Sequence, residues 1–385
     1  MNALFLQVNR SQANVLDILT RRGAGKYYAF SDLSTFLGLH AIAALEGPNY
    51  TSSVVADRSI GTWMDDIATS WTELAQSAPM PGYPGMVDYG PSPNNFLECV
   101  PTYVHAVAAL QAGNTWMMRE TAKVMEGAGN ASRAAALTGM ANLTRDATLA
   151  LFVKGTAGDP GGYFQAGYPG GQRVAVRTCV DFLTVANAMP QDVDQSMGAE
   201  MAEFAKRELL TPGWMRALSL KDAAAAQSDR ADHGPRGAWD GWVGLTARAL
   251  GTLGDYTAAL KLVRAAAGVL DEGPYGQAHR VYGDNNTKMM QPPRKGGDQA
   301  YYAICGSTIA GAVIRSLFGF NPPVSERVSD ASPPTYVLQS PEAARGFDGV
   351  LRNVRYRGRL YDIHSEASSG LSILPAAAGA DRPAN

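Results

Sequence analysis

Apolar residues recur every three or four positions through roughly the first 320 residues of the chain, and clusters of Gly, Pro, Asn and Asp separate these periodic blocks. Such spacing places the apolar side chains on one face of a helix. The pattern therefore predicts about eleven helices, most of them in pairs. The predicted helices cover residues 9–22, 28–46, 56–77, 94–112, 114–127, 131–153, 177–189, 192–209, 239–252, 255–270 and 299–318.

The turns between paired helices are marked by residues that end or cap helices. Gly254–Asp255 separates two helices within residues 239–270, and Gly113–Asn114 is predicted to follow a helix capped at Asn94–Asn95. Helical hairpins repeated along a chain of this length form stacked pairs, either closed into a ring or left open as a solenoid. The prediction is an all-α fold for residues 1–322.

The pattern changes after Pro322–Pro323. Residues 347–363, FDGVLRNVRYRGRLYDI, alternate apolar and polar positions around Arg357–Gly358, which is typical of two strands joined by a tight turn. We expect residues 323–370 to form a small β appendage packed on the helical domain. The last segment, 371–385, is rich in Ala, Pro and Gly and is expected to be disordered.

The connections between the predicted helices differ widely in length. Four of them, 78–93, 155–176, 210–238 and 271–298, are long and rich in Gly, Pro, Tyr, Trp and charged residues. Long loops of this composition commonly carry function on a compact scaffold. In a ring of helical hairpins, loops on one rim would converge over the centre.

Charge and motif content narrow the class of partner. The chain has 385 residues, with 33 Lys and Arg against 35 Asp and Glu, and no run of five like charges. This balance disfavours an extended surface for nucleic acid or an anionic membrane and favours a small ligand. The sequence contains no phosphate-binding glycine loop, serine-hydrolase elbow or metal-ligand spacing, so we expect no cofactor and no metal.

Cysteine usage and the N-terminus bear on the compartment. Cys99, Cys179 and Cys305 are odd in number and far apart, which indicates buried reduced thiols rather than disulfides or a zinc site. The first residues lack the pattern of a secretion signal, and no apolar stretch is long enough to span a bilayer. We expect a cytoplasmic protein, or an exported one whose leader is absent here. The oligomeric state is left open.

The stretch DHGPRGAWDGW, residues 232–242, combines acidic residues, a histidine, an arginine, two tryptophans and three glycines close to the start of a predicted helix. Sugars need such a combination, because their C–H faces stack on indoles and their hydroxyls bind carboxylates, guanidinium and imidazole. Alternatively, the two tryptophans are core residues on one helix face and the second acid is a helix cap. The candidate substrate-binding residues are Asp232, His233, Arg236, Trp239, Asp240 and Trp242.

A second candidate stretch is GMVDYGPSPNNFLE. Asp88 and Tyr89 precede the helix predicted to start near Asn94, and Glu98 lies one turn into it. An acid that loses solvation in an aromatic-rich loop can hold a proton near neutral pH, which suits a general acid. The alternative is that Asp88 caps a turn and that Glu98 is favoured by the helix dipole. Tyr83, in the same loop, is a candidate sugar-facing ring.

A third candidate stretch covers residues 272–306. Tyr275, Gln277 and His279 lie in its first part, and Asp298 follows two glycines at the start of the last predicted helix. A carboxylate in this position either caps the helix or faces an open funnel, where it could polarise a water molecule. We include the three earlier residues as candidates for substrate binding and Asp298 as a candidate base.

The order of these motifs resembles that of inverting glycoside hydrolases with an (α/α)6 toroid, the group that includes processing α-glucosidase I and the trehalases. Their general acid lies in a loop of the form SGLDDYPR or SGWDFSSR, which GMVDYGPSP resembles at Asp88. Their substrate-contacting segment QWDYPNGW is similar to GAWDGWVGL, which contains Trp239, Asp240 and Trp242. The resemblance covers roughly residues 25–320 and implies an (α/α)6 toroid.

Two further motifs of that group differ here. The glutamate base of EKYD has no acidic counterpart in HRVYGD, where His279 and Arg280 fill its place. The segment GGGEY is matched by KGGDQAYY, so the resemblance assigns the base to Asp298. The implied activity is inverting hydrolysis of a glucose-like, α-linked oligosaccharide or small glycoside, with Tyr83, Tyr275 and the two tryptophans as walls. The two carboxyl groups would then lie about 6.5–9.5 Å apart.

Two other functions stay open. A polysaccharide lyase or unsaturated-uronide hydrolase on the same fold would use cationic residues, which the loops supply. They are Arg236, His279, Arg280, Arg294 and Lys295. A non-catalytic sugar-binding or scaffold protein would account for the missing EKYD glutamate, although loops rich in Trp, Tyr and acids disfavour a plain scaffold.

Overall fold

The computed structural model describes residues 31–46, 51–55, 58–77, 80, 82–91, 97, 99–228, 230, 232–270, 278–282, 288–290, 303–323 and 334–376. Within these ranges the fold is mostly helical, with small antiparallel sheets. The helices are α1 (Ser31–Glu46), α2 (Ile60–Ser77), α3 (Ala108–Gly127), α4 (Ala131–Ala150), α5 (Cys179–Ala188), α6 (Gln195–Phe204), α7 (Asp240–Thr252), α8 (Tyr256–Leu270) and α9 (Ala303–Ala312). One π-helical turn follows α6 at Ala205–Leu209 and another follows α9 at Val313–Leu317.

The strands form a two-stranded pair and three three-stranded sheets within the described residues. The pair is β1 (Val54–Val55) and β2 (Arg58–Ser59). The sheets are β3 (Phe152–Val153), β4 (Tyr163–Gly167) and β5 (Arg173–Ala175); β6 (Gly237–Trp239), β7 (Ala278–Tyr282) and β8 (Lys288–Met290); and β9 (Gly349–Tyr356), β10 (Arg359–Glu366) and β11 (Gly370–Pro375). The expectation of an all-α domain is therefore corrected to a mainly helical one, because parts of three predicted loops pair as strands.

The even-numbered helices begin at short polar turns that cap them. Asn130 accepts a hydrogen bond from the Arg133 backbone N–H, and Asp194 accepts one from Met197. Asp255 does the same for Ala258 at the start of α8, after Gly254 with its positive φ of 87°. These contacts satisfy N–H groups that have no partner inside the helix. The predicted break at Gly254–Asp255 is confirmed.

Alternate helices form a continuous inner row. Helices α1, α3, α5, α7 and α9 contact one another in succession, while α4 packs on α3 and α8 on α7. The middle members of this row are buried along most of their length, whereas α4 and α6 are buried on one side. A helix covered on all sides belongs to an inner layer and an amphipathic one to an outer layer. The described helices thus form two layers, and closure into a ring of six pairs stays a prediction.

The predicted turn at Gly113–Asn114 is wrong. Both residues lie inside α3, which begins at Ala108, so the expected helix from residue 94 is not present over the described residues 99–107. The glycine serves packing: a Cβ atom at position 113 would lie 2.9 Å from Leu33 Cδ2 on α1. Close helix approach, rather than chain reversal, therefore explains this glycine.

The C-terminal strands pack on the helical domain. Tyr356, Tyr361, Ile363 and Ile373 belong to the same buried cluster as Phe318 at the end of the helical part. The predicted strand pair around Arg357–Gly358 is confirmed, with positive φ at both residues. Strand β11 continues to Pro375, so its last residues correct the predicted disorder of segment 371–385. Within the described residues, no helix combines the length and the apolar character that crossing a bilayer requires.

Candidate functional site

Three long segments that precede inner helices lie at the same end of the molecule. They are the described parts of residues 82–107 before α3, 151–178 before α5 and 210–239 before α7, and we call this end of the molecule the loop end. The turns at the opposite end are short, such as 128–130 and 253–255. Because each inner helix returns through an antiparallel partner, all inner helices run in one direction and their long loops meet at one end.

Backbone hydrogen bonds tie each of these loops to the next. Ala106 and Gly167 exchange N–H···O bonds of 3.0 and 2.8 Å, which joins the first loop to the second. Thr178 and Leu218 form a bridge between the second and the third. The third loop contributes β6, which pairs with β7, so the predicted sugar-binding stretch lies beside the segment that contains His279.

A direct contact also joins the first loop to the third. The Ser228 hydroxyl donates a 2.9 Å hydrogen bond to the carbonyl oxygen of Cys99, and both residues precede inner helices that are not neighbours in the row. This contact therefore joins the first and third loops directly, in addition to their links through the second loop.

Asp88 is fixed at the loop end by residues of α3. The side-chain amide of Gln111 makes two hydrogen bonds to the backbone of Val87. The Val87 N–H donates to Gln111 Oε1 at 3.2 Å, and Gln111 Nε2 donates to the Val87 carbonyl at 2.8 Å. Asp88 Oδ1 then accepts hydrogen bonds from Gly90 N and His105 Nδ1, each at 2.8 Å. Both of these hydrogen bonds reach Oδ1, and none to Oδ2 is found among the described residues.

His105 adopts a strained backbone to reach Asp88. Its φ is 61°, a left-handed conformation that is uncommon for residues other than glycine, and its N–H donates to the Gly90 carbonyl at 2.9 Å. The imidazole packs against Tyr168, with ring centroids 4.8 Å apart. Such strain persists where the surroundings over-determine it and is concentrated at functional sites. The Asp88–His105 pair is part-buried and is the strongest candidate for chemistry among the described residues.

Aromatic and cationic residues lie in the same loops as this pair. The Tyr83 hydroxyl accepts a 2.9 Å hydrogen bond from Arg173 Nε, and the guanidinium lies 5.6 Å from the Tyr83 ring centroid. Tyr89 accepts a 2.7 Å bond from Asn114 of α3. Burial raises the pKa of Tyr168, whose hydroxyl donates to the Thr102 carbonyl. Tyr83 is itself largely buried, so its hydroxyl positions Arg173 more than it presents a ring face to solvent.

The stretch 232–242 divides into buried and accessible residues. Asp232 is buried between His233, 3.0 Å away, and Arg230, 2.9 Å away. Burial opposes ionisation of this carboxyl, but its hydrogen bonds and charged partners prevail, and its pKa lies well below the ordinary range. Trp239 is half-buried and Arg236 is exposed, so these two can reach a ligand.

Three other residues of this stretch lie in the interior. Asp240 and Trp242 are 1% and 3% exposed, and His233 packs edge-on against Trp242 at 5.1 Å. Trp242 also contacts the Trp239 ring at 5.6 Å. These contacts match the core interpretation of Trp242, and they disfavour direct sugar contact by His233, Asp240 and Trp242, because little of their surface is accessible.

Several predicted site residues lie outside the described part of the chain. They are Glu98, Tyr275, Gln277 and Asp298, and for His279 the backbone alone is described. His279 pairs with Ala238 across strands β6 and β7. The assignments of Asp298 as base and of these residues as ligand contacts stay predictions.

Sequence reasoning missed His105, Tyr168 and Arg173. His105 is 17 residues from Asp88, and no local pattern connects the two. Tyr168 lies in the β4–β5 connection and Arg173 begins β5, in a segment that the sequence suggested only as a glycine-rich loop. The available signal was the clustering of Tyr and Arg within a long loop, which points to a functional segment without identifying its partners.

Asp181 supports the segment that carries His105. It lies in the first turn of α5, is buried, and accepts hydrogen bonds from the Tyr103 hydroxyl at 2.7 Å and the Ala109 N–H at 2.8 Å. Burial raises the pKa of Asp181 from 3.8 to about 7, despite these two hydrogen bonds. This carboxyl therefore links α5, the start of α3 and the loop two residues before His105.

Asp181 makes stability depend on pH. The unfolded chain releases this proton near its ordinary pKa of 3.8, while the folded protein keeps it to about pH 7, so the free energy of unfolding falls as pH rises through this window. The shift corresponds to at most about 4 kcal/mol. We expect Asp181→Asn, which keeps an acceptor oxygen, to remove this dependence, so that the stability of the variant relative to wild type increases with pH. Urea unfolding across this window checks the prediction, and parallel pH profiles for the two proteins would contradict it.

Comparison with known proteins identifies a fold relative. A solved structure named sialidase superposes on this chain with a TM-score of 0.61 and 11% sequence identity, covering 89% of this chain and 31% of the sialidase chain. This chain thus corresponds to less than a third of that protein's length. No protein-family model and no curated protein matches the sequence. The likeness establishes a shared fold.

Proposed function

We propose that this protein is a glycoside hydrolase whose active site lies at the loop end. The observation that carries the proposal is the Asp88–His105 pair, held in a fixed geometry where loops from separate inner helices are tied together. A carboxyl group fixed beside aromatic and cationic side chains suits reactions of sugars. The fold shared with a sialidase is consistent with this class of enzyme.

Asp88 is the general acid in this proposal. The hydrogen bonds to Oδ1 fix the carboxyl plane, and Oδ2 carries the proton that passes to the glycosidic oxygen as the bond to the anomeric carbon breaks. A water molecule attacks the opposite face of the ring and gives its proton to the base, which we assign to Asp298. His105 is a positioning residue that orients Asp88. The reaction inverts the anomeric centre and consumes one water for each bond broken.

The sugar ring is proposed to lie against Trp239, with Arg236 and Tyr89 near its hydroxyl groups. Trp239 offers an indole that is half-buried, and its position is set by Gly241, where a Cβ atom would lie 2.9 Å from that ring. Aromatic faces hold sugars through their C–H surfaces. The same proposal includes a closed (α/α)6 ring formed by a domain of residues 1–322. It also includes a glucose-like, α-linked substrate.

A second candidate function is eliminative or hydrolytic cleavage of a uronide on the same fold. Arg173 favours it, because this exposed residue is hydrogen-bonded to Tyr83 and forms no ion pair with an acid of the described residues. A guanidinium in this setting can bind a sugar carboxylate through two parallel hydrogen bonds. This candidate differs from the first in substrate charge and in product.

A substrate screen separates these functions. We expect turnover of neutral aryl α-glycosides or α-linked oligosaccharides, with the first-formed product of inverted configuration in time-resolved proton NMR. Cleavage of polyuronates with ultraviolet absorbance from an unsaturated product would favour the second candidate. Saccharide binding without turnover across both panels would contradict the enzymatic proposal and support a sugar-binding protein.

A further inference from the structure

A cavity lies at the end of the molecule opposite the loop end. It has a volume of about 510 Å³ and is bounded by the C-terminal half of α3, the first turns of α4 and the end of α5. Cavities of about 300–1,000 Å³ are the usual size for small-molecule sites. This one shares no lining residue with the loop-end site, so it needs a separate explanation.

An indole forms part of the cavity wall. Trp116 of α3 is half-buried and is held by two rings of α1, with centroids 5.2 Å from Phe36 and 4.8 Å from His40. These contacts fix the orientation of the indole without covering it completely. A fixed indole that lines a cavity suits a ligand with an apolar ring face.

Three of the four charged side chains that line the cavity are paired with opposite charges, and the fourth, Glu126, is exposed to solvent at the end of α3. Arg119 makes two hydrogen bonds to Asp192, one of them at 3.0 Å. Glu120 is bound by His40 at 2.8 Å and by Lys123 at 2.6 Å. A strongly charged ligand would have to break one of these pairs, whereas a neutral polar ligand can hydrogen-bond to their edges. The chemistry of the wall therefore favours a neutral ligand with many hydroxyl groups.

Asn187 also belongs to the wall, and its Nδ2 donates a 2.9 Å hydrogen bond to the Leu245 carbonyl. Its Oδ1 is closed to solvent and has no hydrogen-bond partner among the described residues, so this atom does not face a ligand in the cavity. Asn187 therefore shapes the wall through packing, and the ligand contacts come from Trp116 and the charged pairs.

We propose that this cavity is a second saccharide-binding site, specific for a neutral sugar ring and distinct from the loop-end site. The ring stacks on Trp116, and its hydroxyl groups bind the paired edges of Arg119 and Glu120. The proposal does not depend on catalysis at the loop end. The end opposite the loop end thus binds a sugar without cleaving it.

The test compares three sugars that share a ring and differ in charge. D-glucose, D-glucuronate and D-glucosamine are titrated into the full chain labelled with nitrogen-15 at its six tryptophans. The Trp116 indole signal is identified by its loss in Trp116→Phe. We expect D-glucose to shift this signal saturably, with a Kd at least about tenfold lower than for either charged sugar. An unmoved Trp116 signal, or a larger response to a charged sugar, overturns the proposal.

Two bulky substitutions on α4 provide matched variants. Thr138 is exposed and lines the cavity, so Thr138→Phe should fill it and abolish the D-glucose shift, whereas Ala136→Phe, at an exposed position outside the lining, should preserve it. Equal shifts in both variants overturn the proposal. The Trp239 signal reports the loop end separately, so a response of Trp116 alone supports the second site even when no glycoside is cleaved.

Discussion

Replacing Asp88 by Asn is expected to lower kcat for an unactivated glycoside by about 10²–10⁴-fold, the usual contribution of a general acid. The amide oxygen still accepts hydrogen bonds from Gly90 and His105, so the loop keeps its position while the transferable proton is lost. Substrate affinity and thermal stability should stay close to wild type. The measurement is kcat on the substrate found in the screen, together with a binding titration.

The leaving group provides a sharper test of the same role. A nitrophenyl leaving group departs with little protonation, so Asp88→Asn should lose much less activity on a nitrophenyl glycoside than on a natural one. Asp146→Asn, on the outer helix α4, is the matched control and should leave both rates unchanged. Equal losses on the two substrates would show that Asp88 does not donate the proton, and unchanged rates would remove it from the mechanism.

Replacing Arg177 by Met is expected to lower the free energy of unfolding by about 3–5 kcal/mol, as for other buried ion pairs broken on one side. Arg177 forms a two-pronged interaction with Glu208, including an Nε–Oε2 bond of 2.7 Å, and their side chains are 9% and 2% exposed. The variant leaves a buried carboxylate without its main partner. Urea unfolding of the full chain measures the loss.

Lys221 is the matched control for this substitution. It also contacts Glu208, at 3.2 Å, and Asp159, at 2.6 Å, but its side chain is 57% exposed. Lys221→Met should therefore cost at most about 1 kcal/mol. Comparable losses in the two variants would show that burial does not set the strength of this network.

Helices were predictable where periodicity and capping residues agree. The pair around Gly254–Asp255 is an example, since an apolar face, a glycine at the end of one helix and an Asp cap on the next all indicate the same break. Gly113, followed by Asn114, resembled such a break in the sequence but lies inside α3. Its role is to let Leu33 of α1 approach α3, and a contact between residues so far apart in the chain leaves no mark on the local pattern.

The short strands were missed because they depend on partners distant in sequence. Strand β6 has three residues and pairs with β7, and the intervening helices separate the two in the chain. The sequence marked these segments as functional loops, which their position at the loop end supports, but three-residue strands have no recognisable period.

The candidate site was predictable in part for the same reason. Asp88 and Trp239 were indicated by local composition and lie on loops of the same end. His105 was not, because its role arises from a left-handed backbone and from a contact with Asp88 that only the folded chain creates. For Trp242 the sequence left two interpretations open, ligand contact and core, and its burial against the Trp239 ring favours the core interpretation.

Two backbone bridges at the loop end have a thermodynamic consequence for any ligand that binds there. They join Ala106 to Gly167 and Thr178 to Leu218. Because the chain orders these segments when it folds, little conformational entropy remains to be lost at the moment of association. The free energy of contacts to several loops can therefore contribute to ligand affinity or to transition-state stabilisation, because it does not have to offset the entropy lost on ordering the loops. A rigid site of this kind selects ligands by their shape and does not close around them.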